Sequence, residues 1–410
     1  MANDAFAHLY SRSARTVQPS AIRELCKLGD RPEIRSLAGG WPDPAIFPAE
    51  DILDIAEDLL VARPGRLLQY CPTEGLRELR AAVVKWANEK DGIPVTESGL
   101  LITHGSMQGL DLAARVLIDP GDVILCGRPT YFGATGAFRA LGGAIAGVPL
   151  DDEGMDPEAL AETLARLAGE GKRAKAIYVI PNFDNPSGTT LPLARRERIL
   201  ELVHAHDLLL IEDDPYGELR FEGESIPSFA ALDRVGRVIH LRSFSKTFAP
   251  GLRLAWLAAD PALVRKLTIS KQFVDACTNS FGQAIAAEFI ARGLLEKSIA
   301  RNIAVYREKR DWMFAALEKH FPPEVRWTRP MGGFFVWVKL PDSIDASDLL
   351  SDAMAKNVVF VAGAPFYDGE GGRNTLRLTF SMSDRATIES AVAEIGSLIR
   401  ARLAHGASPA

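Results

Sequence analysis

Residues 100–126 read LLITHGSMQGLDLAARVLIDPGDVILC. Two short apolar runs, LLIT at 100–103 and VILC at 123–126, flank a stretch from Met107 to Ile118 whose apolar residues recur at helical spacing. That is a β-α-β rhythm, in which the helix carries the chain back to the end it left so that both strands run in one direction. Outward from it the rhythm continues with AIYVI at 176–180, a helix from Pro192 to about His206, LLLIE at 208–212, VIHL at 238–241 and LAWLAA at 254–259. The alternation predicts an α/β fold with a mainly parallel sheet covered by helices.

The chain has 410 residues, more than one hydrophobic core usually serves, so two domains are expected. After Pro261 the pattern is helical to about His320. It then changes to FFVWVKL at 334–340, a helix near Asp345 to Lys356, VVFVA at 358–362, TLRLTF at 375–380 and a final amphipathic helix, which together read as a smaller α/β domain. The expected division is residues 48–295 for the large domain and 296–410 for the small one. Residues 1–47, with a short helical segment around Ala21 to Leu28 and a Gly/Pro-rich turn, are expected to dock on the small domain and the active site. Residues 1 to about 12 and 404–410 are expected to fray.

A hydrophobic fraction of 47% with 24% charged residues sets disorder aside. The formal charge of −6 is spread without a basic block, which argues against nucleic acid. No apolar run approaches the roughly 18 residues of a membrane span, and Met-Ala-Asn-Asp-Ala-Phe has neither the basic nor the apolar region of a secretion signal, so a cytoplasmic protein is expected. Cys26, Cys71, Cys126 and Cys277 lie far apart and read as reduced packing residues. His204 and His206 are two apart and do not face one another on a helix, so no metal site is expected there.

Several polar segments follow directly after the expected strands, where open α/β sheets place their ligands. Gly105 and Ser106 open a helix whose free N–H groups can take a phosphate, although such a start is more often a plain N-cap. Ser243-Phe244-Ser245-Lys246, with Arg253 seven positions on, puts two hydroxyls, an amine and a guanidinium in one turn region. An amine can form an imine with an aldehyde cofactor while hydroxyls and a guanidinium grip that cofactor's phosphate. IEDDPYGE at 211–218 and PNFDNPSG at 181–188 follow neighbouring strands.

N-P-x-G, D-x-x-Y and S-x-S-K with its distant arginine occur here in the order found in pyridoxal-phosphate aminotransferases of fold type I, and nearly the whole chain resembles that aspartate-aminotransferase-like family. The resemblance implies that Lys246 carries pyridoxal 5′-phosphate as a Schiff base and serves as general base once freed. It implies that Asp213 pairs with the pyridine nitrogen and that Tyr216 and Asn185 hydrogen-bond the phenolic oxygen. The phosphate cup would comprise Ser106, the Met107 backbone, Ser243, Ser245 and Arg253, with Tyr131 stacked on the ring. Tyr70, in Y-C-P-T-E-G-L, resembles the tyrosine that reaches a neighbouring subunit's phosphate, implying a homodimer with shared sites. Arg377, in T-L-R-L-T, resembles the arginine that takes the substrate carboxylate, and Gly40 would bring backbone close to the substrate.

Arg23, in P-S-A-I-R-E, fits the aminoadipate and kynurenine aminotransferase subgroup, in which a mobile N-terminal helix carries an arginine to a distal carboxylate. Trp41 and Gly217 depart from near relatives and are expected to reshape the pocket. The implied activity is ping-pong transfer of an amino group from an aminoadipate, aromatic or aliphatic amino acid to a 2-oxo acid such as 2-oxoglutarate. Lyases, decarboxylases and synthases of the same fold share the constellation and remain the alternative. Reading Ser243-x-x-Lys246 as a serine acyl-transferase motif fails for want of a K-T-G element. A regulator with a DNA-binding module does not fit the barely 40 residues before G-G-W-P-D-P.

Overall fold

The computed structural model of the chain describes residues 5–16, 25 and 31–406. The first strand, β1 (Arg35–Ser36), belongs to a peripheral pair. The next eight form the main sheet: β2 (Leu100–Thr103), β3 (Val123–Arg128), β4 (Ala144–Asp151), β5 (Gly154–Met155), β6 (Ala174–Val179), β7 (Leu209–Asp213), β8 (Val238–Ser243) and β9 (Ala255–Ala258). Their order across the sheet is β2-β9-β8-β7-β6-β3-β4-β5. From β8 to β4 every pairing is parallel, whereas β9 runs against both β2 and β8, and β5 folds back on β4. Helices cover both faces, so β8 is buried along its whole length, His240 and Arg242 included.

Strand β4 escapes the sequence reading for a physical reason. It lies one strand from the edge, only Ala146 and Val148 of AIAGVPLD are buried, and Gly147 and Pro149 are residues that strands disfavour. The helix Ser106–Leu117 presses onto β8 at Gly109, where a Cβ would lie 2.5 Å from Leu241 Cδ2. That close approach fixes the helix N-terminus over the carboxyl ends of the parallel strands.

The remaining strands are β10 (Arg326–Trp327), β11 (Phe335–Lys339), β12 (Val358–Val359), β13 (Val361–Ala362) and β14 (Thr375–Thr379). An antiparallel sheet runs β10-β11-β14-β13, while β12 pairs in parallel with β1, so the segment before residue 47 is stitched to the C-terminal part of the chain. One apolar cluster extends from Leu241 and Leu257 of the main sheet through Tyr306 and Met313 of the helix Leu294–His320 to Leu376 and Leu378. Among the described residues no helix is long and apolar enough to cross a membrane.

Of the ends expected to fray, residues 1–4 and 407–410 lie outside the described residues, while parts of 5–12 and residues 404–406 carry local structure. Residues 7–9 form a 3₁₀ turn, and the helix Arg12–Thr16 seats on the helix Phe132–Ala140 through a hydrogen bond from Ser13 Oγ to the Ala140 carbonyl at 2.6 Å. Ser11 Oγ accepts from Ala14 N at 3.1 Å, so a short polar side chain starts that helix where fraying is expected. The last helix, Arg385–Gly406, likewise continues past residue 403. The helical segment expected around Ala21 to Leu28 lies outside the described residues apart from Leu25, which is helical and packs against the cluster of Val359, Val361 and Phe366.

A buried ion pair ties the N-terminal segment to the long helix. Lys309 Nζ donates to Asp43 Oδ2 at 2.6 Å and to the Ser381 carbonyl at 3.2 Å. Asp43→Ala leaves the ammonium buried without its counter-charge, at an expected cost of about 3 kcal/mol. The thermal midpoint of the apoprotein should fall by several degrees, and Asp43→Ala/Lys309→Met should recover part of the loss. An unchanged midpoint in the single variant would show that the pair contributes nothing.

Candidate active site

The carboxyl ends of β2, β3, β6, β7 and β8 meet on one side of the main sheet, and a cavity of about 570 Å³ opens there, closed from above by β11, β14 and the turn at 40–42. Lys246, three residues beyond β8, is partly buried. Its Nζ donates to the Gly40 carbonyl at 2.9 Å and lies 5.5 Å from the centre of the Phe334 ring. Burial first, then the positive charges of Arg253 and Arg377, hold its amine down to about 8.

Asp213 ends β7 and is 2% exposed. The Tyr178 hydroxyl donates to its Oδ2 at 2.9 Å, whereas its Oδ1 is buried with no hydrogen-bond partner among the described residues. Burial pushes this carboxyl up to about 7, against the Tyr178 hydrogen bond. A buried acceptor left open in this way calls for a donor from a ligand.

Asn185, in the loop after β6, accepts at Oδ1 from Arg377 Nη1 at 2.7 Å. Arg377, on β14, also donates to the Ala38 carbonyl at 2.6 Å, and its guanidinium lies 4.2 Å from the centre of the Phe335 ring. The arginine is thereby held flat, with its orientation set by the first strand region, the loop after β6 and the small sheet together. Tyr216 is buried edge-on to Phe334 and Phe335, and burial raises its phenol further above the usual value.

The opposite end of the cavity is built for an anion. Gly105, at φ +79°, precedes the helix Ser106–Leu117, and a Cβ on it would lie 2.5 Å from Arg253 Nη2. Arg253 itself takes φ 54° after the 3₁₀ turn Pro250–Leu252 and donates to the Pro250 carbonyl at 3.2 Å. Ser243 Oγ accepts from Ser245 N at 3.0 Å, and Ser106, Met107, Ser243 and Ser245 all line the cavity. A helix start, hydroxyls and a guanidinium converge on one place. Tyr131 lines the same wall, its hydroxyl 3.5 Å from Met107 Sδ.

Two residues singled out in the sequence, Tyr70 and Gly217, stand elsewhere. Tyr70 is 84% exposed on the outer surface, and Arg23 lies outside the described residues. Gly217 is a correction: it does not line this cavity, and a Cβ there would lie 2.3 Å from Asp214 Oδ2, so its smallness makes room for the buried Asp214 rather than reshaping the pocket. Trp41 does line the cavity, at its mouth. Sequence reasoning missed Tyr178, which reads as one more apolar residue of AIYVI, and Phe335, which shares its strand face with Trp337 and Lys339 and so reads as turned away from the core.

Residues 43–395 match the family described as aminotransferase class I and II. This chain belongs to that family. The aminotransferase is 43% identical over 391 residues to the aromatic-amino-acid aminotransferase 1 of Thermococcus litoralis, covering 95% of this chain and 94% of that protein. Among solved structures it resembles the Pyrococcus horikoshii kynurenine aminotransferase in complex with PMP, with KYN as substrates and KYA as products, at 41% identity and a TM-score of 0.94 over 98% of this chain and 99% of that one. It also resembles the α-aminoadipate aminotransferase of Thermus thermophilus complexed with N-(5′-phosphopyridoxyl)-L-leucine, at 40% identity and a TM-score of 0.90 over 98% and 100%. The aminotransferase uses pyridoxal phosphate. Nothing in these relatives favours a lyase.

The residues present fit that cofactor on two counts: the open, buried Oδ1 of Asp213 suits a protonated ring nitrogen, and the cradle at Gly105 and Arg253, which a Cβ would fill, suits a phosphate. Gly105→Ala should therefore weaken inorganic phosphate and cofactor binding to the apoprotein roughly tenfold or more, since φ > 0 and the Arg253 contact both oppose a side chain. Titration calorimetry would measure it, and unaltered affinity for both ligands would contradict the assignment of this end to an anion.

Proposed function

We propose that the aminotransferase moves amino groups between an aromatic, aliphatic or aminoadipate-type L-amino acid and a 2-oxo acid such as 2-oxoglutarate, by a ping-pong cycle, in the cytoplasm and as a homodimer with shared sites. The observation that carries this reading is the gathering of Lys246, the open Oδ1 of Asp213 and Arg377 around one cavity. The names of the three relatives support the substrate range. We further propose a large domain at 48–295, a small one at 296–410, and an N-terminal segment that belongs with the small domain.

Bound pyridoxal phosphate supplies an aldehyde that condenses with amines and a protonated ring that takes up the electron pair left when a Cα–H bond breaks. Ser106, the Met107 backbone, Ser243, Ser245 and Arg253 would hold its phosphate, and Tyr131 would cover one ring face. Tyr216 and Asn185 would hydrogen-bond its phenolic oxygen, and Asp213 would hold the proton on the ring nitrogen. Arg377 would grip the substrate carboxylate with its fork, a task for which a lysine is a poor substitute. Lys246 Nζ, neutral once released, would hold the proton taken from Cα and deliver it to the carbon that had carried the cofactor's aldehyde. The lowered basicity of this amine suits it to proton transfer near neutral pH.

Trp41, Phe132, Ile180 and Phe335 form an apolar wall that suits an aromatic or aliphatic side chain. Arg253 and Arg377 are the arginines among the described residues that line the cavity, and both have tasks. A distal carboxylate would fall to Arg23. In support of the dimer, Tyr70 shares its surface with Leu68 and Phe273, 74% and 88% exposed, and segment 67–73 hydrogen-bonds to 276–280.

Initial rates for a panel of amino acids against 2-oxoglutarate and pyruvate test the substrate range. Aromatic and aminoadipate donors should lead, and activity confined to small donors such as alanine would contradict the reading. Arg23→Ala should raise KM for 2-oxoglutarate while leaving that for an aromatic donor. Arg377→Lys should lower kcat/KM about 100-fold for every substrate, through loss of the charged hydrogen bonds. Because the neutral amine is the nucleophile, the rate at which apoprotein captures the cofactor aldehyde should climb with pH through about 8 and then level. A rate still rising toward the ordinary lysine value of 10.5 would show that Lys246 is unperturbed.

A further inference from the structure

The ring of Tyr178 is an ordinary core element, 1% exposed and edge-on to Phe138 with centroids 5.8 Å apart. Its hydroxyl has a different environment. Strands β6 and β7 pair in parallel with Tyr178 opposite Ile211, so Asp213, two residues along, shares the face on which the tyrosine stands. The phenol reaches along that face and donates to Asp213 Oδ2 at 2.9 Å, leaving Oδ1 without a partner among the described residues on a side chain that lines the cavity.

We propose that Tyr178 is a positioning residue for the reaction: its O–H holds Oδ2 so that Asp213 presents Oδ1, ionised and in one orientation, to the ring nitrogen of the cofactor. The proposal rests on the reading that Asp213 pairs with that nitrogen. A terminal carboxylate torsion is broad and has no strong preference of its own, so a buried Asp213 with no second partner would exchange its two oxygens and shift its aim.

The chemical character of the partner matters as much as its position. Burial favours the uncharged carboxylic acid, and a hydrogen bond donated to the carboxylate works the other way. A cation in the place of Tyr178 would neutralise Asp213 and remove its pull on the ring proton. A phenol orders the carboxylate and leaves its full charge for the ring. The phenol also stays a donor, because its own burial and the adjacent Asp213 push its ionisation well above the usual value. The other charges nearby are already engaged: Asp214 is held by Arg242 at 2.9 Å, and His240 by Glu212 at 2.8 Å. Among the described residues, the Tyr178 hydroxyl is the side chain that donates to Asp213.

Tyr178→Phe keeps the ring packing and deletes only the donor. The decisive comparison uses two probes, pyridoxal phosphate and its 1-deaza analogue, in which C–H replaces the ring nitrogen. Dissociation constants of both are measured on the apoprotein for the native chain, Tyr178→Phe and Asp213→Ala. The ratio of the two constants cancels any general damage to the site. Tyr178→Phe should weaken pyridoxal phosphate roughly tenfold and bind the analogue no worse than the native chain does. Equal weakening of both probes would make Tyr178 merely structural and overturn the proposal, as would no weakening of either. If Asp213→Ala also treated the two probes alike, the pairing of Asp213 with the ring nitrogen would itself be wrong. If Asp213→Ala discriminated between them and Tyr178→Phe did not, only the positioning role would fall.

Discussion

Asp213 is buried and Lys246 partly buried at the cavity, and among the described residues neither has an opposite charge in hydrogen-bond contact: Lys246 meets a backbone carbonyl, and Asp213 meets a phenol. Holding ionisable groups away from water without a counter-ion is costly, and each responds by shifting toward its neutral form, the amine to about 8 and the carboxyl to about 7. The site is thus poised for a ligand that supplies a positive ring nitrogen to the one and an electrophilic carbon to the other. The fold provides that state by ending several parallel strands at the same place, where side chains project into a pocket lined by Phe335 and Tyr216.

The neighbouring residue shows what happens without that constraint. Asp214 is as buried as Asp213 but does not line the cavity; burial alone would raise it, and Arg242, His240, Asn182 and Arg196 together outweigh burial, so it stays below the usual carboxylate range. Arg242 lies between the Trp86 and Trp256 rings and also meets Asp91 and Glu218. Two adjacent carboxylates on one strand end therefore carry opposite shifts, one structural and settled, the other open and available. This local contrast also explains Gly217, since the space beside Asp214 has no room for a Cβ.

Much of this was legible in the sequence because the chemistry sits in contiguous segments: Asn185, Asp213, Tyr216, Lys246 and Arg253 each follow a strand whose apolar run is plain, and the structure brings them to one cavity. What could not be read depended on contacts between distant segments. Nothing in AIYVI tells that the Tyr178 hydroxyl meets Asp213, because that follows from register between two strands 35 positions apart. The expectation for Gly217 failed for the same reason, as its nearest neighbour across space is a carboxylate rather than a substrate. Strand β4 was hidden by its thin burial, and the Arg12–Thr16 helix by resting on a surface helix rather than on an apolar core.

The central claim, that the cavity performs a half-transamination, is tested most directly by mixing the holoenzyme with one amino donor and no acceptor. The account predicts a single turnover, with one equivalent of 2-oxo acid formed per chain, no ammonia, and the cofactor left as its amine until a 2-oxo acid is added. Continued release of 2-oxo acid together with ammonia would contradict it.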